Sequence, residues 1–300
     1  MPETAKAMVL ASFCGDGLAL APHWIYDPER IKAEFGRVSE FTAPRPGSFH
    51  AGKAKGEFTH YGDQTLVLLE SLAAQKSFDL SDFAERWQAM LTAYAGYRDV
   101  ATTTTLANFV DGWGPGDAGS QSDDLAGAAR VAPVVYAYAG DLEHLAEAAR
   151  SQARLTHNNA GVMAASELLA VAAKFVLDGS EPQAALSRAA ERPGAAKVRP
   201  LVAQGLAAAG TDSRTAILGF GQSCHLEAAL PSVVQLVCRH PDDLAEALIQ
   251  SVMAGGDSAA RNMCVGLVLG AHLGLAAIPE SWLNALVARE RIETLLTSLD

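Results

Sequence analysis

FTHYGDQTLVLLESL, residues 58–72, sets a polar head of His60, Tyr61, Asp63, Gln64 and Thr65 directly before the apolar run Leu66-Val67-Leu68-Leu69. The run is leucine-rich rather than β-branched, and its apolar positions continue at helical spacing through Leu72, so it reads as a core helix over 64–76. An aspartate at such a start is a preferred cap, contributing about 1 kcal/mol by accepting from an orphan backbone N–H. The same helix start holds a carboxylate ionised, so Asp63 is either a cap or part of a site completed from elsewhere in the chain.

Working outward, the same pattern extends over much of the chain. Helical periodicity is readable at 4–14, 80–94, 101–111, 123–139, 141–154, 158–177, 183–191, 196–208, 226–238, 241–253, 258–274 and 279–297. The short apolar run VVQLV (233–237) is assigned to helix because Pro-Asp-Asp restarts a helix just beyond it. Hydrophobic residues make up 49% of the 300-residue chain and charged residues 19%, with Ala, Leu and Gly abundant, which predicts an all-α fold in a single domain over 1–300. PRPGSFHAGKAKG (44–56) and GWGPGDAGSQS (112–122) read as loops within that domain.

The net charge of −11 and the lack of any Lys/Arg cluster exclude a nucleic-acid-binding role on electrostatic grounds. No uninterrupted apolar segment reaches the ~18 residues of a membrane span, and the N-terminal apolar run is too short for a signal peptide. Cys14, Cys224, Cys238 and Cys264 have no paired spacing and read as reduced thiols, which predicts a cytoplasmic protein. Sequence sets no oligomeric state.

A second aspartate repeats the arrangement of the first. In GGDSAARNMCVGLVLGAHLG (255–274), Asp257 follows two glycines and heads a long apolar helix whose Ala259, Gly266 and Gly270 would admit another helix closely. Both aspartates are suited to binding a hard cation or to stabilising positive charge developing on a sugar ring.

GDGLALAPHW (15–24), HYGDQT (60–65), LAGAARVAP (125–133), LTHNNAG (155–161) and the Asp257 segment occur in the order of the ADP-ribosylglycohydrolase family, which this chain resembles over nearly its whole length. AYAGYRDVATTTTLANFVDG (93–112) further resembles the jellyfish lens crystallins of that family. The resemblance implies a compact orthogonal multi-helix bundle with two Mg²⁺ ions in a cleft where an N- or O-glycosidic bond of an ADP-ribosyl substrate is hydrolysed. It also implies a first metal motif Thr-Asp-Asp and a second in which an Asp is followed by another Asp and a Thr. Asp63 and Asp257 match; Gly62, Gln64, Ala259 and Ala260 do not, and His23 stands where many relatives carry an acid. With two carboxylates to face four positive charges, the expectation is no binuclear centre and at most one weakly held Mg²⁺ at Asp63 and Asp257.

Candidate catalytic residues are therefore Asp63, Asp257 and His23, the last either a neutral base or an imidazole packed beside Trp24. Candidate substrate-binding residues are His60, Gln64, Trp113, Asp124 and Ser258, with Trp113 a platform for a flat ring. Asp123 and Asp124 read equally as acids of a helix start, and Lys53 and Lys55 as solvated charges. Two functions stand open: a glycosidic hydrolase acting on an ADP-ribosyl or nucleoside-like substrate with a degenerate metal site, and a non-catalytic, crystallin-like or ligand-binding protein of the same fold.

Overall fold

A computed structural model of the chain describes residues 3–300. In chain order the helices are α1 (Glu3–Ala19), α2 (Pro28–Phe35), α3 (His60–Gln75), α4 (Leu80–Thr92), α5 (Val100–Val110), α6 (Ala126–Ala129), α7 (Ala132–Tyr138), α8 (Leu142–Arg154), α9 (Ala160–Leu177), α10 (Pro182–Ala190), α11 (Arg199–Ala207), α12 (Ser213–Phe220), α13 (Leu226–Arg239), α14 (Leu244–Met253), α15 (Ser258–Leu273), α16 (Glu280–Ala285) and α17 (Arg289–Leu299). Among the described residues there is no strand, and the all-α class expected from composition is what is found.

The molecule is organised around α1 and α15. Both are apolar on every side and buried along almost their full length, as a helix must be when it runs through a core instead of over it. They touch backbone to backbone. A Cβ on Gly266 would collide with the Ala11 carbonyl oxygen, and one on Gly270 would lie 2.6 Å from the Ala11 Cβ. Helices α9, α13 and α14 pack on α15, while α3 and α7 flank α1 and α17 lies against both α1 and α3. The 18-residue α9 is long and apolar enough to cross a membrane by length and composition, but it is a core helix carrying buried Glu167.

Sequence boundaries fail where proline or a short amphipathic segment intervenes. The helix expected over 123–139 is broken into α6 and α7 around Arg130 and Val131, because Pro133 lacks the N–H that would bond Ala129 O and sits instead in the first turn of α7, where none is needed. The 279–297 helix is likewise split, with Leu286 extended between α16 and α17. Helices α2 and α12 have no counterpart in the periodicity; each starts with an aspartate cap, Asp27 or Asp212. All four cysteines are free thiols, Cys14 and Cys264 fully buried.

The Gly266→Ala substitution is expected to destabilise the fold by about 1–3 kcal/mol through overpacking, despite alanine's better helix propensity. Gly210→Ala, at a position with open space around it, is expected to stay within about 0.5 kcal/mol of the wild type. Denaturant unfolding of both variants measures the difference.

Candidate active site

The close helix pair delivers two turns to one place. Beyond α1, Pro22-His23-Trp24-Ile25 folds back on Gly255-Gly256: Trp24 N–H donates to Gly256 O (3.0 Å) and Gly256 N–H to Ile25 O (2.9 Å). Trp24 is held there at φ +64°, unusual for a bulky residue, and Gly255 and Gly256 at +80° and +72°, where only glycine is relaxed. The buried Arg261 donates to Ser251 O and Gly255 O, tying α14 to the turn. Asp257 is the N-cap of α15, its Oδ1 accepting from Ala260 N–H. Only 1% exposed, it accepts at Oδ2 from the Tyr61 hydroxyl (2.9 Å) and the Trp24 indole (3.4 Å). Burial pushes its proton affinity up; the Tyr61 hydrogen bond and the Arg261 charge act against that.

Helix α3 begins four residues earlier than the apolar run suggests. Its cap is Thr59, whose hydroxyl accepts from Tyr61 N–H while its own N–H and O–H donate to the two oxygens of buried Asp16 (2.8 and 2.5 Å). Asp63 is thus no cap. It lies two positions beyond Tyr61, about 200° around the helix, and so points away from Asp257. Its Oδ2 accepts from Lys53 Nζ and the Tyr94 hydroxyl, both at 2.5 Å. The expected facing of Asp63 and Asp257 is therefore corrected: the two carboxylates hold separate partners on different flanks of α3. Gly62 packs where a Cβ would sit 2.5 Å from Asp16 Oδ2. Of the residues at the head of α3, Tyr61 reaches Asp257, while Thr59 bonds Asp16 and His60 bonds Asp99.

In front of Tyr61 opens a cavity of about 260 Å³ walled by Trp24, Tyr26, Phe49, Tyr61 and Tyr97, with Asp99, Asp124 and Cys224 supplying polar groups. Asp99 caps α5 through Thr102 N–H and bonds His60 Nε2 (3.2 Å). Burial alone would raise its pKa, but the His60 and Thr102 hydrogen bonds and the His60 charge outweigh burial and leave it below the ordinary carboxylate range. Phe49, 53% exposed, stands edge-on to Trp24 and Tyr97 with ring centroids 4.8 and 5.2 Å away. It borders two further cavities of about 300 and 360 Å³. One aromatic side chain on the 44–56 loop partitions the space.

His23, His50 and His60 cluster behind this wall with ring centroids 5.4 to 6.5 Å apart. Burial and the neighbouring imidazoles hold His23 well below its ordinary 6.5; burial, His60 and Lys53 push His50 down to about 3. Ala259 N–H donates to His23 Nδ1 (3.4 Å), which places the neutral ring's proton on Nε2. His23 therefore presents a proton donor, not the base expected of it.

The other expected residues divide. Asp124 and His60 belong to the cavity, and Ser258 lies buried beside Asp257 with its Oγ unpartnered. Gln64 is committed to structure, accepting from the Trp87 indole (2.7 Å) and donating to His60 O. Trp113 is excluded by distance: α5 starts at the cavity with Asp99 and runs about 16 Å before Trp113 emerges, 56% exposed. Asp123 and Asp124 are not caps, since Leu125 precedes α6 without a side-chain bond. Sequence reading missed Trp24, Phe49, Tyr61, Tyr97 and Asp99 as a group; the aromatic neighbours of histidines at 23–24, 49–50 and 60–61 were the available signal.

Around Asp257 the side chains are poor in Mg²⁺ ligands: Tyr61 and Trp24 donate to its Oδ2, Ala259 and Ala260 offer no side-chain oxygen, and Asp124 is the carboxylate whose charge reaches it.

Comparison with known proteins places this geometry in a wider group. A model of the ADP-ribosylglycohydrolase family matches residues 2–300. Crystallin J1A of Tripedalia cystophora is 22% identical over 94% of this chain and 91% of its own, and the ADP-ribosylhydrolase ARH3 of Homo sapiens is 25% identical over 85% and 82%. The solved structure of an ADP-ribosylglycohydrolase-related protein complex superposes with a TM-score of 0.78 at 26% identity, over 99% of this chain and 98% of that one.

Because His50 is neutral when folded and protonatable when unfolded, the stability it contributes is full above about pH 6.5 and is lost as pH falls toward about 3, and His23, also held well below 6.5, acts in the same direction. NMR titration should find the His50 imidazole unmoved through the range in which a free imidazole titrates, and His50→Phe should flatten the acid limb of the stability profile.

Proposed function

The chain belongs to the ADP-ribosylglycohydrolase family, and from that premise we propose that it hydrolyses an N- or O-glycosidic bond in an ADP-ribosyl or nucleoside-like substrate, using carboxylates in place of a Mg²⁺ pair. The observation that carries this reading is the aromatic-walled cavity with Asp99 and Asp124 on its lining and Asp257 one layer behind. A flat base or ribose fits between Trp24, Tyr97 and Tyr61. Leaving-group departure generates oxocarbenium character on the sugar, and the ionised Asp99, supported by His60, stabilises it in a partly dehydrated site. Asp257 acts through Tyr61 and Trp24, fixing the hydroxyl and indole that face the ligand. Asp124, partly open to solvent, accepts a hydrogen bond from a ribose hydroxyl or the incoming water. His23 Nε2–H is available as a donor on the far side of Trp24.

The full ADP-ribosyl group is larger than the 260 Å³ cavity, so Phe49 must swing aside to join it to the neighbouring spaces. A second reading, ligand binding without turnover, is favoured by the complete cover over Asp257 and by likeness to the crystallin named above.

Turnover of a panel of ADP-ribosyl conjugates with and without EDTA tests the proposal. Expected are hydrolysis that EDTA leaves unchanged and a fall of about 100-fold in kcat for Asp99→Asn. Loss of activity in EDTA with recovery in Mg²⁺ would contradict it. Absence of turnover together with calorimetric binding of ADP-ribose would establish the binding reading instead.

Phe49→Ala is expected to speed ligand association with little change in folding stability, measured by stopped-flow quenching of tryptophan fluorescence.

A further inference from the structure

Segments 123–126 and 224–226 are joined by a short antiparallel bridge: Leu125 N–H donates to Cys224 O (2.9 Å) and Leu226 N–H to Asp123 O (3.0 Å). Fixing both backbones aligns Asp124, Cys224 and His225, one carboxylate oxygen, the Cys224 Sγ and one His225 ring nitrogen all lying within 4.8 Å of each other. Asp124 Oδ1 is 3.9 Å from His225 Nδ1, close to the edge of about 3.4 Å between ligands of a tetrahedral zinc ion at its usual bond lengths. The Cys224 Sγ and an Asp124 carboxylate oxygen lie within 4.8 Å of each other, so the sulfur and oxygen converge on one point. Asp123 Oδ1 lies 2.6 Å from the same His225 Nδ1, a contact that a metal ion at that nitrogen would replace.

From this juxtaposition we infer that Asp124, Cys224 and His225 form a site for a single Zn²⁺ ion at the mouth of the aromatic cavity, with one coordination position open toward that cavity. One thiolate, one imidazole and one carboxylate select a borderline-soft ion such as zinc over Mg²⁺, which demands oxygen ligands. Three protein ligands and a vacant fourth position are the arrangement of zinc sites that hold water or a substrate oxygen. Binding releases one proton, from Cys224 Sγ, as the thiolate takes the metal; neutral His225 ligates through its Nδ1 lone pair and carries its ring proton on Nε2. The surrounding charge is favourable: Asp123, Asp257 and Glu227 all lie near enough to act on the same residues, which attracts a dication. The site shares Asp124 with the glycosidic reading, but its test reads metal uptake and not turnover, so the two can fail separately.

The test uses the full chain stripped of metal by chelator dialysis and titrated with Zn²⁺ alone against a chromophoric chelator, then with Co²⁺. Expected are one equivalent of tightly bound Zn²⁺, release of about one proton at a pH where His225 is neutral, and a sulfur-to-cobalt charge-transfer band in the near ultraviolet. Cys224→Ser should abolish that band, and Cys224→Ser and His225→Ala should each weaken zinc affinity by about 100-fold with unchanged helical circular dichroism. A protein that takes up no stoichiometric zinc overturns the inference. So does zinc binding that both variants leave intact, which would place the ion elsewhere, for instance on His23, His50 and His60.

Discussion

The close approach of α1 and α15 is the constraint on which the rest of this structure depends. Glycine at 266 and 270 brings the two backbones within contact, and neither helix has a polar face to offer solvent. Such a pair is stable only when other helices cover it, and α3, α7, α9, α13, α14 and α17 do so. Because the rods are fixed in register, the turn leaving α1 and the turn entering α15 must meet. The positive-φ backbone at Trp24 and the paired glycines at 255 and 256 are the local cost of that meeting. It places a tryptophan, a tyrosine and a buried aspartate in mutual hydrogen-bonding distance.

The electrostatics of the site derive from the same geometry. A buried carboxylate needs partners, and Asp257 finds them in Tyr61, Trp24 and the charge of Arg261. Asp16 is satisfied by Thr59 in the same manner, which locks the start of α3 against α1. The imidazoles of His23 and His50 are held uncharged, so the ionised groups that face the cavity are carboxylates.

The class of fold is legible in the sequence because leucine and alanine recur at helical spacing and small residues mark the closest helix contact; Gly266 and Gly270 are readable as a docking surface from their spacing alone. Boundaries are less legible where a proline or a turn breaks a periodic segment, as at Pro133 and Leu286. The site is half legible. Helix starts and family order point to Asp257, His60 and Asp124, but they also pair Asp63 with Asp257, because Asp63 sits where a cap would. The true cap, Thr59, lies one turn earlier behind polar residues that hide the helix start, so Asp63 falls inside the first turn, on the side of α3 away from Tyr61. Trp24, Tyr97 and Phe49 escape notice because aromatic residues in loops have no periodicity, and only tertiary packing shows that they share a wall.

A crystal structure of the chain grown with ADP-ribose and excess Mg²⁺ tests the central claim most directly. The account predicts the nucleoside or ribose ring seated among Trp24, Tyr61 and Tyr97, within hydrogen-bonding distance of Asp99 or Asp124, with Asp257 still bonded to Tyr61 and no pair of metal ions beside it. Two Mg²⁺ ions coordinated between Asp257 and the start of α3, with the Tyr61 hydroxyl displaced, would contradict it.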